Sequence, residues 1–344
     1  MHRKRYHPST IIEVARLAGV SPSTVSRVIN GTAVVAPETE QRVRAAIAQL
    51  NFSPHPAARQ LVSQRTNTIG LLLPEISSEF FPPMLRGIEA GVREAGYDLL
   101  IHSTQDSHSN SSRVAQRPLR EHNTDGLIIF PASLDEEEIR RLFTIGFPLV
   151  LLYQSAPDDV DYPVVTVENM SGAEKLVNHL IDMHGRRRIA FLHGPPGHED
   201  SIWRERGYKQ ALVAHGLPYN PDLVGYGGFN HQEASQAIQR WIVDGLVFDA
   251  VFAGDDDAAT GVIAALRQAG RRVPEDVSVV GFDDVPFARY LSPPLTTVCA
   301  PIEQVGREAV RLLVKCIHDE PCTTKIILPT ELVIRRSCGC NTIL

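Results

Sequence analysis

The apolar positions of residues 1–50 fall into three short stretches with helical spacing. Thr10 and Ser21 are suitable N-caps, and Pro22 and Pro37 suit a first helical turn. The predicted inner faces consist of Ile11, Val14, Ala15, Ala18 and Val20, then Val25, Val28 and Ile29, then Val43, Ala46, Ile47 and Leu50. Two short helices joined by a tight glycine-containing turn, with a third packed across them, predict a helix-turn-helix unit.

Residues 51–66 are predicted to link this unit to the rest of the chain. Pro56 favours a turn or two of helix, but a helix this short is marginal in water without a partner.

From residue 67 onward, continuous apolar runs alternate with amphipathic stretches. The predicted strands are 69–73, 99–103, 126–130, 148–152, 188–193, 250–252 and 277–282. The predicted helices lie near 81–95, 111–122, 135–143, 169–184, 200–215, 230–243 and 255–269. This alternation predicts parallel, doubly wound sheets with helices on both faces, in an α/β body of two lobes.

The lobe bounds follow from the same pattern. We expect a first lobe over about 67–162 with a return segment near 285–320, and a second lobe over about 163–284 with 321–344. A ligand would then bind in the cleft between the lobes, at the carboxyl ends of the strands.

Composition narrows the class of protein. Hydrophobic residues make up 43% of the 344 residues and charged residues 22%, which excludes wholesale disorder. No apolar run is long enough to cross a bilayer, and the first residues lack the apolar stretch of a secretory signal. Five cysteines, an odd number, fit a reducing compartment. We therefore expect a cytoplasmic protein with no membrane contact.

Charge is divided unevenly along the chain. Residues 1–66 carry nine Lys and Arg against three acidic residues, whereas the remainder carries 25 basic and 37 acidic residues. A basic head is attracted to a polyanion such as DNA. The alternative from charge alone is a solvated basic tail without a partner.

Residues 10–30 read TIIEVARLAGVSPSTVSRVIN. This stretch resembles the head of the lac/galactose repressor family, T-I-x-D-V-A-x-x-A-G-V-S-x-x-T-V-S-R-V-L-N, with Glu13 and Ile29 as mild departures. The resemblance implies an all-α helix-turn-helix head on a periplasmic-binding-protein-like body. It also implies a sequence-specific DNA-binding transcriptional regulator, expected to be a repressor, under the control of a small molecule.

The second helix has the side chains that DNA recognition requires. Arg27 suits a bidentate contact to guanine in the major groove, and Pro22 and Ser23 lie near it on the predicted exposed face. Short polar groups suited to phosphate oxygens are carried by Ser21, Thr24, Ser26 and Asn30.

The resemblance also gives the linker a role. It implies a hinge helix in the minor groove with Leu61 as the wedge between base steps and Ala58 on the same element. His55 replaces the usual Asn and could contact phosphate, and Phe52 replaces the usual Tyr. An ordinary interdomain linker is the alternative.

In the body, the resemblance places effector-binding residues at several strand ends. Arg204 holds the position of an arginine that reaches ligand oxygens, Asp255 replaces a ligand-facing Asn, and Asp283 is the first aspartate of G-F-D-D. Phe80 and Phe81 follow the first strand, where stacking on a ligand and core packing are equally open. We expect Gln154 and Phe229 to form further walls of the effector-binding cleft. For Asp256 and Asp284 we expect helix capping instead.

Acceptor carboxylates facing an arginine and aromatic walls suit a polyhydroxylated, sugar-like effector. We expect a homodimer, because one helix-turn-helix makes few base contacts and two heads on neighbouring half-sites supply the rest. No cofactor is expected.

Two other classes of protein share parts of this pattern. A sugar-binding transport protein would have the same two-lobed body, but it needs an export signal and has no use for residues 10–62. A glycosidase could use Asp255 and Asp283 as paired acids, but no nucleophile motif, metal triad or phosphate loop supports an enzyme.

The cysteines cluster late in the sequence. Cys316, Cys322, Cys338 and Cys340 could form a four-thiolate zinc site, but their spacing matches no common zinc knuckle. We expect no metal site and interpret them as buried or tail thiols.

Overall fold

A computed structural model describes residues 9–31, 33–52, 65–104, 119, 121–156, 161–321 and 323–341. The chain divides into two compact units, Met1–Thr66 and Asn67–Leu344. Most of the helix predicted near 111–122 lies outside the described residues.

The described residues of the first unit form three helices, α1 (Ile11–Ala18), α2 (Pro22–Asn30) and α3 (Pro37–Leu50). Thr10 and Glu13 form a reciprocal capping box at the start of α1. The Ser21 hydroxyl accepts a hydrogen bond from the Thr24 amide at the start of α2. The core consists of Val14, Ala15, Ala18, Val25, Val43 and Ala46. The predicted all-α head is confirmed.

The first sheet of the second unit has six parallel strands. They are β1 (Thr68–Leu73), β2 (Asp98–Ser103), β3 (Gly126–Ile129), β4 (Leu149–Leu152), β5 (Val164–Val167) and β11 (Lys325–Leu328), in the order β2-β1-β3-β4-β5-β11. Its helices are α4 (Phe81–Ala95), α5 (Glu136–Thr144) and α10 (Ile302–Ile317). The strand order reverses between β1 and β3.

The second sheet has four parallel strands, β6 (Ile189–His193), β7 (Val224–Tyr226), β8 (Ala250–Ala253) and β9 (Ser278–Val280), in the order β7-β6-β8-β9. Its helices are α6 (Asn169–His184), α7 (Glu199–Ala214), α8 (His231–Val243) and α9 (Asp256–Gln268). An antiparallel pair, β10 (Thr297–Cys299) and β12 (Glu331–Val333), completes the fold. The predicted body of two parallel α/β lobes is confirmed.

The predicted lobe bounds are wrong in three places. The segments β5 and β11, assigned to the second lobe, pair with each other in the first sheet. Residues near 288–295, assigned to the first lobe, pack instead in the second core, where Ala288 and Leu295 are buried. The physical reason is that short apolar strands next to a crossover satisfy either sheet equally well, so the pattern does not say which sheet they join.

The chain passes between the lobes three times. It leaves the first sheet after β5, returns at α10, and leaves again after β11. After β12 the tail lies against the second sheet, where the Val279 amide donates to the carbonyl of Ser337.

None of the helices among the described residues is both long and apolar enough to cross a membrane.

We expect Gly87→Ala to destabilise the second unit. A Cβ at Gly87 on α4 would overlap the carbonyl oxygen of Glu303 on α10, so the two helices would have to move apart. The free energy of unfolding should fall by about 1–3 kcal/mol in urea titrations of the full chain.

The matched control is Glu89→Ala, two residues along α4 and exposed, with an ion pair to Arg93 on its own helix. Its effect should stay within about 0.5 kcal/mol. Equal stability of Gly87→Ala and the unaltered chain would contradict the close helix contact.

Candidate nucleic-acid interface and ligand cavity

The first turn of α2 is open to solvent. Ser21, Pro22, Ser23 and Arg27 are exposed, whereas Thr24 and Ser26 are half-buried. No acidic residue lies in this first turn, so the partial positive charge of the helix N-terminus is not neutralised locally. A phosphate group can therefore approach it.

Some of the residues predicted to bind DNA lie outside the part of the chain that the structure describes. His55, Ala58 and Leu61 lie outside the described residues, and only the backbone of Asn30 is described. The Ser21 hydroxyl contacts the hydroxyls of Ser23 and Thr24 at 2.8 and 2.9 Å, in addition to capping the helix.

The second unit contains a cavity of about 500 Å³ at the carboxyl ends of both sheets. Loops that follow β1, β2, β3 and β4 line it on one side, and loops that follow β6, β7, β8 and β9 line it on the other. In each sheet it includes the place where the strand order reverses, which is where parallel α/β sheets bind ligands.

The structure brings all seven sequence-predicted effector residues to this one cavity. They are Phe80, Phe81, Gln154, Arg204, Phe229, Asp255 and Asp283.

Arg204 is buried and held by three different segments. Its Nε donates to Asn169 Oδ1 at 2.9 Å, one terminal nitrogen donates to the Gly254 carbonyl at 2.6 Å, and the other to Asp283 Oδ1 at 3.1 Å. The guanidinium also lies 3.8 Å from the centre of the Phe282 ring. These contacts fix the guanidinium against the cavity wall and leave donor capacity on both terminal nitrogens.

Two further carboxyl groups beside Arg204 favour the protonated form. Burial raises the pKa of Asp200 to about 7, although Arg204 opposes the shift. Burial, with the nearby charge of Asp283, raises the pKa of Asp255 to about 8. Near neutral pH the cavity therefore offers an O–H donor on Asp255 and, in part of the molecules, on Asp200. Asp283 accepts from Arg204, although burial raises the pKa of Asp283 as well. Donors and acceptors of both kinds bind sugar hydroxyls.

The helix-capping role expected for Asp256 and Asp284 is wrong, whereas Asp255 both lines the cavity and caps a helix. Asp255 is the N-cap of α9 and accepts from the Ala258 amide at 2.8 Å. Asp256, which we expected to cap, accepts from the Thr297 hydroxyl and the Val285 amide, and so joins three segments of the second lobe. Asp284 forms an ion pair with Arg335 at 2.7 Å. One residue of register decides which aspartate caps, and the sequence pattern does not fix it.

An aromatic cluster forms the wall on the first lobe. The Phe80 ring lies 5.6 Å from Phe81 and 5.5 Å from Tyr153, and the Phe130 ring lies 5.3 Å from Phe81. Phe81 is buried in the main core, which favours the packing interpretation for it, while Phe80 is half-buried at the cavity. On the opposite side, Phe229 packs over Gly194, where a side chain would collide with its ring.

Three buried polar atoms at the cavity have no hydrogen-bond partner among the described residues. They are Tyr153 Oη, Gln154 Nε2 and His198 Nδ1. Burial lowers the pKa of His198 to about 4, so its imidazole is neutral. A bound molecule with hydroxyl groups would satisfy all three atoms.

Sequence reasoning did not select Tyr153, His198 or Asp200 as site residues. The i, i+4 spacing of Asp200 and Arg204 on one predicted helix was a usable signal for Asp200. Tyr153 directly precedes Gln154 at a strand end.

Known proteins are similar to this chain both in the head and in the two-lobed body. Residues 10–55 match the family model described as bacterial regulatory proteins, lacI family, and residues 177–338 match the periplasmic binding protein-like domain. The HTH-type transcriptional regulator CelR of Thermobifida fusca is 36% identical, covering 98% of this chain and 100% of the relative. The ribose operon repressor of Halalkalibacterium halodurans is 33% identical, covering 96% and 97%.

Solved structures show the same arrangement. The CelR–cellobiose complex has a TM-score of 0.70 and 32% identity, covering 96% of this chain and 99% of that one. The lac repressor dimer bound to operator and the anti-inducer ONPF has a TM-score of 0.81 and 25% identity, with the same coverage.

A helix-turn-helix head and a two-lobed body with a ligand cavity together define a ligand-responsive transcriptional regulator. The chain belongs to the lacI family of bacterial regulatory proteins. The two relatives described above are transcriptional regulators.

We expect Asp255→Asn to reduce the loss of stability that accompanies a rise in pH from about 4 to about 8. The folded protein holds a proton on Asp255 up to a pKa of about 8, whereas an unfolded aspartate releases it near 3.8. The folded state thus binds more protons in this window, so stability falls as pH rises through it. Asparagine caps a helix equally well and removes up to about 1.4 kcal/mol per pH unit of that slope.

Urea titrations between pH 5 and pH 8 measure this slope, and Asp257→Asn is the control. Asp257 lies two residues along the chain, is only half-buried, and forms an ion pair with His231. An identical pH slope for Asp255→Asn and the unaltered chain would contradict a protonated Asp255.

Proposed function

We propose that this regulator binds operator DNA as a homodimer through the exposed face of α2, and that a sugar-like molecule in the cavity controls that binding. The observation that carries the proposal is the convergence of Arg204, the buried aspartates and the aromatic walls on one cavity. We assign no reaction to the protein and place it in the cytoplasm, where its DNA lies.

The DNA side of the proposal rests on charge and exposure. Arg27 extends from an exposed face of α2, and the guanidinium fork matches the O6 and N7 acceptors of guanine. Ser21, Ser23, Thr24 and Ser26 are placed for phosphate contacts. Two copies on neighbouring half-sites supply the affinity that a single head lacks.

The effector side rests on hydrogen-bonding capacity. Asp283 accepts, and Asp255 and Asp200 donate below their raised pKa values of about 8 and about 7. The aromatic rings of Phe80 and Phe229 offer faces on which the apolar side of a sugar ring can stack. The similar CelR structure is a complex with cellobiose, and another similar protein is a ribose operon repressor. We therefore propose that the effector is a mono- or disaccharide.

In this proposal, the effector controls DNA binding through movement of the two lobes. Because the cavity is lined by both lobes, a ligand that contacts both of them stabilises the closed arrangement over the open one. We propose that this equilibrium is coupled to DNA affinity, and the coupling must then act equally in both directions.

Arg27→Ala should weaken binding to the recognised DNA sequence about tenfold or more, because a bidentate guanine contact contributes about 1–3 kcal/mol. The sequence is first selected from genomic fragments with the unaltered protein, and dissociation constants are then measured at several salt concentrations. Binding of unselected duplex should change much less.

Arg93→Ala on α4 is the control, because it removes an exposed charge of the same kind from the body. It should leave the dissociation constant unchanged. Unaltered selectivity of Arg27→Ala would contradict groove recognition by α2.

Gln154→Ala should weaken effector binding about tenfold, the equivalent of one lost hydrogen bond of about 1.4 kcal/mol. The substitution removes a half-buried side chain whose Nε2 atom has no partner among the described residues, so folding should be preserved. A panel that includes cellobiose, ribose and nucleosides identifies the ligand by thermal shift, and calorimetry measures its affinity.

Gln232→Ala, exposed at the start of α8, should bind the effector normally. If nucleosides alone shifted the melting temperature, the sugar assignment would be wrong. Unchanged affinity of Gln154→Ala would remove this residue from the site.

A further inference from the structure

Two histidines and two cysteines meet where the tail contacts the C-terminal end of α6. His179 and His184 lie on α6, and Cys338 and Cys340 lie in the turn after β12. The four candidate ligand atoms all lie within 4.8 Å of one another. This cluster, called here the His2Cys2 cluster, stands apart from the residues that line the effector cavity.

The distances are those of a tetrahedral metal site. His179 Nε2 lies 3.4 Å from Cys338 Sγ and 3.6 Å from Cys340 Sγ, and His184 Nε2 lies 3.4 Å from Cys340 Sγ. Imidazole nitrogens and thiolates bound tetrahedrally to zinc are separated by roughly 3.5 Å, given the usual bond lengths. We propose that the His2Cys2 cluster binds a structural zinc ion.

The backbone around the cysteines is shaped for this arrangement. Gly339 has a φ of 117°, which a residue with a side chain rarely adopts. A Cβ there would lie 2.9 Å from His184 Nδ1, so the glycine lets the turn close over the imidazole ring. The Gly339 amide donates to the carbonyl of Arg336 at 3.1 Å, which fixes the turn.

Groups around the cluster hold the ligands in place. The Thr296 hydroxyl donates to Cys338 Sγ at 3.1 Å, and the same sulfur lies 3.3 Å from the carbonyl oxygen of Arg335. The Ser278 hydroxyl donates to the Cys338 carbonyl at 2.7 Å. Outer contacts of this kind orient metal ligands and tune their basicity.

The ligand types select the metal and its role. Two thiolates with two imidazoles are a common zinc set, and hard ions such as Mg²⁺ and Ca²⁺ prefer oxygen ligands. Four protein ligands leave no open position for water or substrate, so the role is structural. His179 and Cys338 are buried, while His184 and Cys340 are half-buried, so an ion can enter from the surface.

The ion would clamp the tail onto the second lobe. The tail follows the last passage of the chain between the lobes, and Arg335 beside it pairs with Asp284, the neighbour of the cavity residue Asp283. Zinc binding energy would therefore stabilise the folded second lobe directly.

The test measures metal content in the full chain, expressed in zinc-supplemented medium and purified without chelator. Elemental analysis should find about one zinc ion per chain in the unaltered protein. Cys340→Ser and His184→Gln should each lower zinc content about tenfold or more after dialysis against a weak chelator. Cys316→Ser on α10 is the matched control and should retain the metal.

Cobalt provides a readout on the unaltered protein, should a variant fold poorly. After zinc removal, added Co²⁺ should give the intense visible bands of a tetrahedral site and a sulfur-to-cobalt charge-transfer band. Added Zn²⁺ should abolish them and raise the melting temperature.

Three results would overturn the proposal. The first is unaltered protein without near-stoichiometric metal and without a cobalt spectrum. The second is full zinc retention by both Cys340→Ser and His184→Gln. The third is a disulfide between Cys338 and Cys340 in freshly purified protein, shown by mass spectrometry without reductant.

Discussion

The buried guanidinium of Arg204 is the constraint on which the effector cavity depends. A charge taken out of water needs partners, and Asn169, Gly254 and Asp283 supply them from three different segments. Those contacts bring together the start of α6, the end of β8 and the end of β9. Burial raises the pKa of Asp200, Asp255 and Asp283, and the charge of Arg204, which donates to Asp283 Oδ1, opposes the rise in all three.

Local chemistry explains why the head was predictable from sequence. Thr10, Ser21, Pro22 and Pro37 determine helix starts through contacts within a few residues, and each performs its expected role at a helix start. The strand runs of the body were predictable for a related reason, because a strand buried on both faces must be apolar throughout. Resemblance to the family then located the seven cavity residues, which periodicity alone could not have assembled.

Non-local pairing explains what the sequence did not reveal. The pairing of β5 with β4 places β5 in the first sheet, and the pairing of β11 with β5, far away in the chain, places β11 there as well. That Asp255 rather than Asp256 caps α9 depends on one residue of helix register. The His2Cys2 cluster was missed because its histidines lie on a helix more than a hundred residues before its cysteines, so no short spacing signals it.

The three passages of the chain between the lobes have a mechanical consequence. When one lobe rotates against the other, all three connecting segments must change conformation together, because each of them joins the same two lobes. Three connections restrict twisting and sliding of one lobe against the other more than a single connection would. A ligand that bridges the cleft then acts on a hinge of three connections, and hinge closure around a ligand is a common movement of molecular switches.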